Sequence, residues 1–147
     1  MRRREWELSA IQFTHTISIQ EYNALRASVD FITICPKQAR TALDNSLYIL
    51  VATDGSAPLG MARVIGDGGY VYFICDVIVH PAHQSKGIGR AIIERVLEWL
   101  EAQIDEGETI MVNLMSAMNK EVFYEKLGFH KRPFDNHGSG MSRWISK

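Results

Sequence analysis

Gln84-Ser85-Lys86-Gly87-Ile88-Gly89-Arg90 follows the apolar run Val77-Ile78-Val79 and opens an amphipathic stretch beginning at Ile88. This order of strand, glycine-bearing loop and helix decides the fold. Glycines let the chain turn tightly and let a ligand approach the backbone, and the first N–H groups of a helix lack partners within it and can point at anionic oxygens. One such contact contributes only about 0.3 to 1 kcal/mol when exposed, so several must converge, with Lys86 and Arg90 adding charge to the amides. The stretch reads as a cradle for a ligand containing a pyrophosphate.

Three phosphate-binding patterns compete for this signal. A P-loop places Lys and then Ser or Thr directly after its last glycine, whereas Gly89 is followed here by Arg90 and Ala91. A dinucleotide fingerprint needs a third small residue where helix meets strand, but Ile92 stands there, and Pro81 to Lys86 separate the strand from the glycines. The stretch from Asp76 to Leu100 resembles motif A of the GCN5-related N-acetyltransferases (GNAT), a strand followed by Gln/Arg-x-x-Gly-x-Gly/Ala and a long helix. Gln84, Gly87 and Gly89 fill its fixed positions. Phe123-Tyr124-Glu125-Lys126-Leu127-Gly128-Phe129 resembles the same family's penultimate helix, so two motifs occur in the family's order. The resemblance runs from about Leu47 to Trp144; the residues before it match in general layout.

Length and composition agree with a small enzyme. The 147 residues, 46% of them hydrophobic, suit a single domain spanning 1–147 that buries roughly two thirds of the surface exposed when unfolded. Sixteen basic and 17 acidic residues leave a net charge of −1, so no global field favours nucleic acid or anionic lipid. No apolar stretch approaches the roughly 20 residues of a membrane span. Met1-Arg2-Arg3-Arg4 leads into Glu5-Trp6-Glu7 rather than an apolar signal region, which predicts a frayed basic start and a cytoplasmic protein. Cys35 and Cys75 are far apart, and the five histidines form no short cluster with thiolates or carboxylates, so free thiols and no metal are expected.

Strand and helix signals alternate along the chain. Ser18 and Glu21 form a capping box for a helix over Ile19 to Ser28, and Pro36 suits the first turn of a helix to about Leu43. A meander follows: Leu47 to Thr53, Leu59 to Ile65 and Tyr70 to Val79, turned at Asp54-Gly55 and at Gly66-Asp67-Gly68-Gly69. The third strand is apolar nearly throughout, as for a strand covered on both faces, and only Asp76 interrupts it. A helix over Gly87 to Gln103 carries Ile88, Ala91, Ile92, Val96, Trp99 and Leu100 on one stripe. Thr109 to Leu114 gives a strand and Lys120 to Leu127 a helix stopped by Gly128. Phe129 to Pro133 and Gly140 to Ile145 read as a closing strand pair. With a first strand near Ile11 to Thr16, the order β-α-α-β-β-β-α-β-α-β is that of the acetyltransferase family.

The resemblance implies an α/β (mixed α+β) GNAT fold: a mostly antiparallel sheet of about six to seven strands, about four helices, and strands four and five splayed apart. It implies acetyl-CoA as cosubstrate, no metal, and transfer of the acetyl group to a primary amine by direct attack in a ternary complex. The alternative is a non-catalytic acyl-CoA-binding regulatory domain. By the same resemblance Val77, Ile78 and Val79 border the pantetheine arm, Gln84, Ser85, Lys86, Gly87, Ile88, Gly89 and Arg90 wrap the pyrophosphate, and Tyr124 lies by the sulfur as proton donor. The N–H of Val77 or of Ile78 would stabilise the oxyanion. The family often has Asn seven residues before the tyrosine; Ala117 stands there, and Asn119 or Lys120 takes its place.

The attacking amine must lose a proton, to a base or along a water path. Asp76 is a candidate base, since partial burial can raise a carboxylate pKa toward the working range, or else a carboxylate bonded to loop amides. His80, Tyr72 and His130 are weaker candidates. Cys75 invites an acyl-enzyme, against which stands the inertness of a thiol in an apolar strand. Gly60-Met61-Ala62-Arg63-Val64-Ile65, Asp76-Val77-Ile78-Val79 and Gly140-Met141-Ser142-Arg143-Trp144 are similar to the branch with plastid serotonin and lysine acetyltransferases. That implies aromatic monoamines, polyamines or protein lysines as acceptors, and a homodimer. Tyr22, Phe31, Tyr70, Tyr72, Phe134 and Trp144 either line an acceptor pocket or belong to the core.

Overall fold

A computed structural model describes residues 9–147, so the basic start lies outside the described residues. The described residues divide into two compact units, one ending at Leu114 and the other spanning Met115–Lys147.

In the first unit β1 (Gln12–Thr14) leads to α1 (Ile19–Ser28) and α2 (Pro36–Asp44), followed by β2 (Tyr48–Thr53), β3 (Pro58–Gly66) and β4 (Val71–Val79). A 3-10 turn (Pro81–His83), α3 (Ile88–Glu101) and β5 (Met111–Leu114) complete it. The capping box forms: the Glu21 N–H donates to Ser18 Oγ at 3.1 Å and the Ser18 N–H to Glu21 Oε2 at 3.0 Å, satisfying two donors that the helix leaves free. Asp67 fixes the β3–β4 turn, where its Oδ1 accepts from the N–H groups of Gly69, Tyr70 and Val71 at 2.8 to 3.1 Å.

The strands lie in sequence order, antiparallel from β1 to β4, with β5 parallel to β4. One face packs against α1 and α2 through Tyr22, Leu25, Ala39, Val51, Met61 and Ile78. The other meets α3, whose Ile88, Ile92, Ile93, Val96 and Leu100 are all buried. Trp99, expected on that stripe, stacks on Tyr48 at 4.6 Å and meets Tyr72 edge-on at 6.4 Å. Gly60 brings β3, β4 and α3 together: a Cβ there would lie 2.6 Å from the Ile78 carbonyl oxygen and 3.2 Å from Ile92 Cδ1.

The second unit holds α4 (Glu121–Glu125), shorter than expected. Gly128, at φ 90°, ends it, with the Gly128 N–H donating to Glu125 O at 3.1 Å and that of Phe129 to Tyr124 O at 3.2 Å. The expected closing strand pair is absent among the described residues, so the sheet has five strands rather than six or seven. Pro133 has no N–H to give a ladder, and the segment closes on itself through mutual Phe134 and His137 backbone bonds of 3.2 and 2.9 Å.

Candidate active site

Pairing between β4 and β5 covers only Val71 to Ile74, opposite Met111 to Leu114. β4 continues to Val79 along β3, so its other edge, from Cys75 onward, has no strand beside it among the described residues. Antiparallel residues alternate between bonding the neighbour and facing away from it. The His80 N–H donates to Leu59 O at 2.8 Å and Met61 pairs with Ile78, so His80 and Ile78 face β3. Val77 and Val79 therefore turn their backbone groups toward the open edge. Of the two oxyanion donors considered, the alternation favours the Val77 N–H, because that of Ile78 is directed at β3.

A bulge sets this phase. Arg63 pairs with Cys75 and Met61 with Ile78, so two residues of β4, Asp76 and Val77, oppose the single Ala62 of β3. Asp76 occupies a left-handed conformation at φ 50°, a region costly for residues other than glycine and held here by surrounding contacts. Its Oδ1 accepts from Arg26 Nη1 at 2.5 Å and its Oδ2 from Arg63 Nε at 2.7 Å, while the Tyr22 hydroxyl donates to Oδ2 through a short contact. Arg26 Nε also donates to Ile32 O at 2.8 Å, and Arg63 Nη1 to Ala42 O at 3.4 Å and Ser46 Oγ at 3.3 Å. The three charged side chains are only 9 to 14% exposed. One carboxylate thus joins α1, β3 and the bulge of β4.

This reverses the expectation for Asp76. Burial alone pushes its pKa up, but the hydrogen bonds from Arg63 and Tyr22 and the charges of both arginines outweigh it and hold the carboxyl below its ordinary value. Burial first, then the bond to Asp76 and its negative charge, push the Tyr22 hydroxyl upward against the opposing charges of Arg63 and Arg26. Sequence reasoning missed Tyr22, Arg26 and Arg63 as partners. The available signal was a lone Arg63 in apolar β3 beside a lone Asp76 in apolar β4, with Tyr22 and Arg26 one helical turn apart.

Beyond β4 the chain turns through His80, whose Nδ1 accepts from the Ala82 N–H at 3.2 Å, so this histidine caps the 3-10 turn. Gln84 Nε2 donates to Val79 O at 3.0 Å, tying the loop to the end of the open edge. Ser85 and Gly87 both have positive φ, 62° and 88°, and Gly87 caps α3 without a side-chain partner for the first helical amides. Left-handed residues beside helical amides that no side chain caps form a backbone pattern able to present N–H groups to an anion. Lys86 is exposed beside it. Arg90, also exposed, donates from Nε to Glu94 Oε1 at 2.7 Å.

In the second unit Tyr124 is buried, with Phe123 and Phe129 edge-on at 5.0 and 6.0 Å. Burial raises the pKa of its hydroxyl, which stays protonated at neutral pH. Asn119 precedes α4 at φ 65°. His130 stacks on Phe134 at 4.9 Å.

Residues 45–131 match the acetyltransferase (GNAT) domain family, more than half of the chain. The chain belongs to the GNAT acetyltransferases. It is an acyltransferase, and the family uses acetyl-CoA as cosubstrate. Among its relatives is an uncharacterized N-acetyltransferase, ycf52, of Pyropia yezoensis, 31% identical over 80% of this chain and 67% of the relative. Another is the chloroplastic serotonin N-acetyltransferase 2 of Oryza sativa subsp. japonica, 30% identical over 86% of this chain and 64% of the rice protein. The chain therefore spans less than two thirds of the rice enzyme's length. A crystal structure of a probable acetyltransferase from methicillin-resistant Staphylococcus aureus superposes with a TM-score of 0.81 at 27% identity, covering 92% of this chain and 99% of that one.

Several other residues of this acetyltransferase have structural surroundings. Tyr72 is buried beside Trp99 on the α3 face, and Tyr22 is committed to Asp76. Tyr70 and Trp144 are exposed, and Phe31 is at the margin, with Arg26 over its ring at 5.7 Å. Among the described residues no cluster of three His, Cys, Asp or Glu could hold a metal, and no helix is long and apolar enough to cross a membrane. Burial pushes the Cys75 thiol up to about 11, leaving about one part in ten thousand as thiolate at pH 7. Cys75→Ala is therefore expected to keep kcat within about twofold and to yield no acetylated protein by intact mass; a labelled wild-type intermediate that the variant lacks would revive the covalent route.

Proposed function

We propose that this acetyltransferase moves the acetyl group of acetyl-CoA to a primary amine by direct attack in a ternary complex. The observation that carries this is the open edge of β4, whose Val77 and Val79 backbone groups face away from β3 and lead into the Gln84–Arg90 loop. Pantetheine amides pair with Val77 and Val79, with Ile78 between them, and the pyrophosphate sits on the amides of Ser85, Gly87, Ile88, Gly89 and Arg90 beside Lys86. Gln84 fixes the junction. Asn119 takes the cofactor contact for which Ala117 has no side chain.

The Val77 N–H receives the oxyanion formed on attack, a contact worth about 2.7 to 4 kcal/mol when preorganised. Tyr124 protonates the departing thiolate, a role that rests on its motif match and its protonated state. An alkyl amine with a pKa near 10 is about one part in a thousand neutral at pH 7, so deprotonation is required. Asp76 is not the base in this scheme: protonating it would cancel two ion pairs. The proton leaves along water. Small amines and protein lysines are the acceptors, in keeping with a relative named for serotonin.

The test pairs calorimetry with thiol release. Acetyl-CoA at a hundredfold excess over Kd should stabilise the fold by about 2.7 kcal/mol, which ATP and NAD should not match. An amine should then release free thiol from acetyl-CoA. Absence of heat with saturating acetyl-CoA overturns the seam as its site, and binding without thiol release from any amine overturns transfer.

A further inference from the structure

The bulge of β4 decides which amide reaches the open edge. The Met111 N–H donates to Tyr70 O at 2.8 Å, so the residues that alternate with Tyr70, Tyr72 and Ile74, turn their backbone groups toward β5, while Phe73 and Cys75 turn theirs toward β3. Continued without interruption, that alternation would put Asp76 and Ile78 on the edge that β5 leaves open. Beyond the bulge the phase is reversed: Ile78 and His80 face β3, and Val77 and Val79 face outward. One extra residue therefore exchanges the N–H of Ile78 for that of Val77 at the edge.

The exchange depends on the backbone of Asp76, whose φ of 50° a residue with a Cβ rarely adopts by its own preference. Part of what holds it comes from outside the sheet. Arg26 stands in the last turn of α1, 50 residues earlier in the chain. Its guanidinium is divided between two partners: Nη1 donates to Asp76 Oδ1 at 2.5 Å, and Nε donates at 2.8 Å to Ile32 O, in the loop that follows α1. Tyr22, one helical turn before it, gives its hydroxyl to the other carboxylate oxygen, which also accepts from Arg63 Nε at 2.7 Å. A planar fork bonded at two points has little freedom to turn away, so it ties the Asp76 carboxylate, and through it the bulge, to the end of α1.

We infer that Arg26 is a positioning residue for acyl transfer: acting through Asp76, it holds the bulge that presents the Val77 N–H, in place of that of Ile78, at the open edge. The inference rests on the acetyl-transfer scheme for what the Val77 N–H does, and its structural half can be read without turnover.

Arg26→Met, Arg26→Lys, Asp76→Ala, Asp76→Gly and the double variant Arg26→Met with Asp76→Gly test it. Thiol release from acetyl-CoA is measured per folded protein, and the Val77 amide signal is followed by NMR in the free proteins. Arg26→Met should lower kcat by about thirtyfold to a hundredfold, as a displaced donor does, with KM for acetyl-CoA within about twofold because the Gln84–Arg90 loop is untouched. Lysine keeps a cation for Asp76 but not the second bond to Ile32 O, and should recover about tenfold of that loss. Glycine adopts the left-handed backbone with no carboxylate to anchor it, so Asp76→Gly should turn over about tenfold faster than Asp76→Ala although both lose the same ion pairs. With glycine in place Arg26 has nothing to act through, and adding Arg26→Met should change kcat by less than about twofold. The Val77 amide signal should move in Arg26→Met and return toward its wild-type position in Arg26→Lys.

A folded Arg26→Met with kcat within about threefold of wild type overturns the inference and leaves acetyl transfer standing. Equal rates for Asp76→Gly and Asp76→Ala overturn the route through the bulge. So does a further large loss on adding Arg26→Met to Asp76→Gly, which would set Arg26 against the substrate itself. Wild-type protein that binds acetyl-CoA but releases no thiol with any amine overturns acetyl transfer, and the amide signal then decides the clamp: displaced in Arg26→Met it upholds the hold on the bulge, unmoved it overturns it. Thermal midpoints identify a variant that fails to fold, in which case Arg26→Lys and Asp76→Gly decide.

Discussion

Asp76→Asn is expected to lower the unfolding free energy by about 3 to 5 kcal/mol, the cost of leaving buried charges without their partner. Two guanidiniums depend on this carboxylate, at 2.5 and 2.7 Å, and both arginines are largely shielded from water. Asparagine keeps the shape but removes the negative charge, and its amide can accept only part of what the two arginines and Tyr22 donate. In a domain of this size such a loss lowers the melting midpoint by about 10 °C or more. Differential scanning calorimetry at pH 7 checks it; a shift below about 1 kcal/mol would show that the network contributes little.

The same network predicts the acid limb of stability. The folded pKa of Asp76 is depressed, so its contribution is complete above the unfolded value of about 3.9 and is lost as pH falls through the folded value. The gap between wild type and Asp76→Asn should be widest near neutrality and close below about pH 4. Kinetics separate this role from general base catalysis. Asp76 is already ionised across the working range, so the acidic limb of the rate profile should survive in the variant at temperatures where it is folded. Loss of that limb would restore Asp76 as the base.

Local chemistry made most of the fold legible. Ser18 and Glu21 announced the start of α1, Pro36 that of α2, and the apolar run from Val71 to Val79 behaves as the inner strand its composition suggests. The terminal segment misled because the apolar residues of Gly140 to Ile145 record only a capacity to pair, while in Phe129 to Pro133 the Phe129 N–H is given to Tyr124 O and Pro133 has no N–H to give. Within the site, the open edge depends on where β5 stops, and the bulge on a positive φ at Asp76 that no local pattern demands. The direction of the Asp76 pKa was illegible for a related reason. Burial could be inferred from the strand, but two arginines at separations of 50 and 13 residues come together only through the packing of α1 and the β3–β4 register.

Tyr124→Phe should lower kcat by about a hundredfold or more while acetyl-CoA affinity stays within about twofold, because general acid assistance usually contributes about 10² to 10⁴. The phenyl ring remains, and with it the edge contacts to Phe123 and Phe129 at 5.0 and 6.0 Å, so the burial that anchors α4 is retained. Stability should change by less than about 1 kcal/mol, which keeps the kinetic loss from being a loss of folded enzyme. What disappears is one proton held on a phenol whose pKa burial has raised, the state required to meet a departing thiolate of pKa about 8.5. Wild-type turnover should therefore show no decline from tyrosine ionisation below about pH 10, and the variant should be slow throughout. Rapid-quench measurement of the acetyl-transfer step is the decisive form of the experiment, since slow product release can mask a chemical defect in kcat. A single-turnover rate within threefold of wild type would remove Tyr124 from the chemistry and leave the thiolate to take its proton from water.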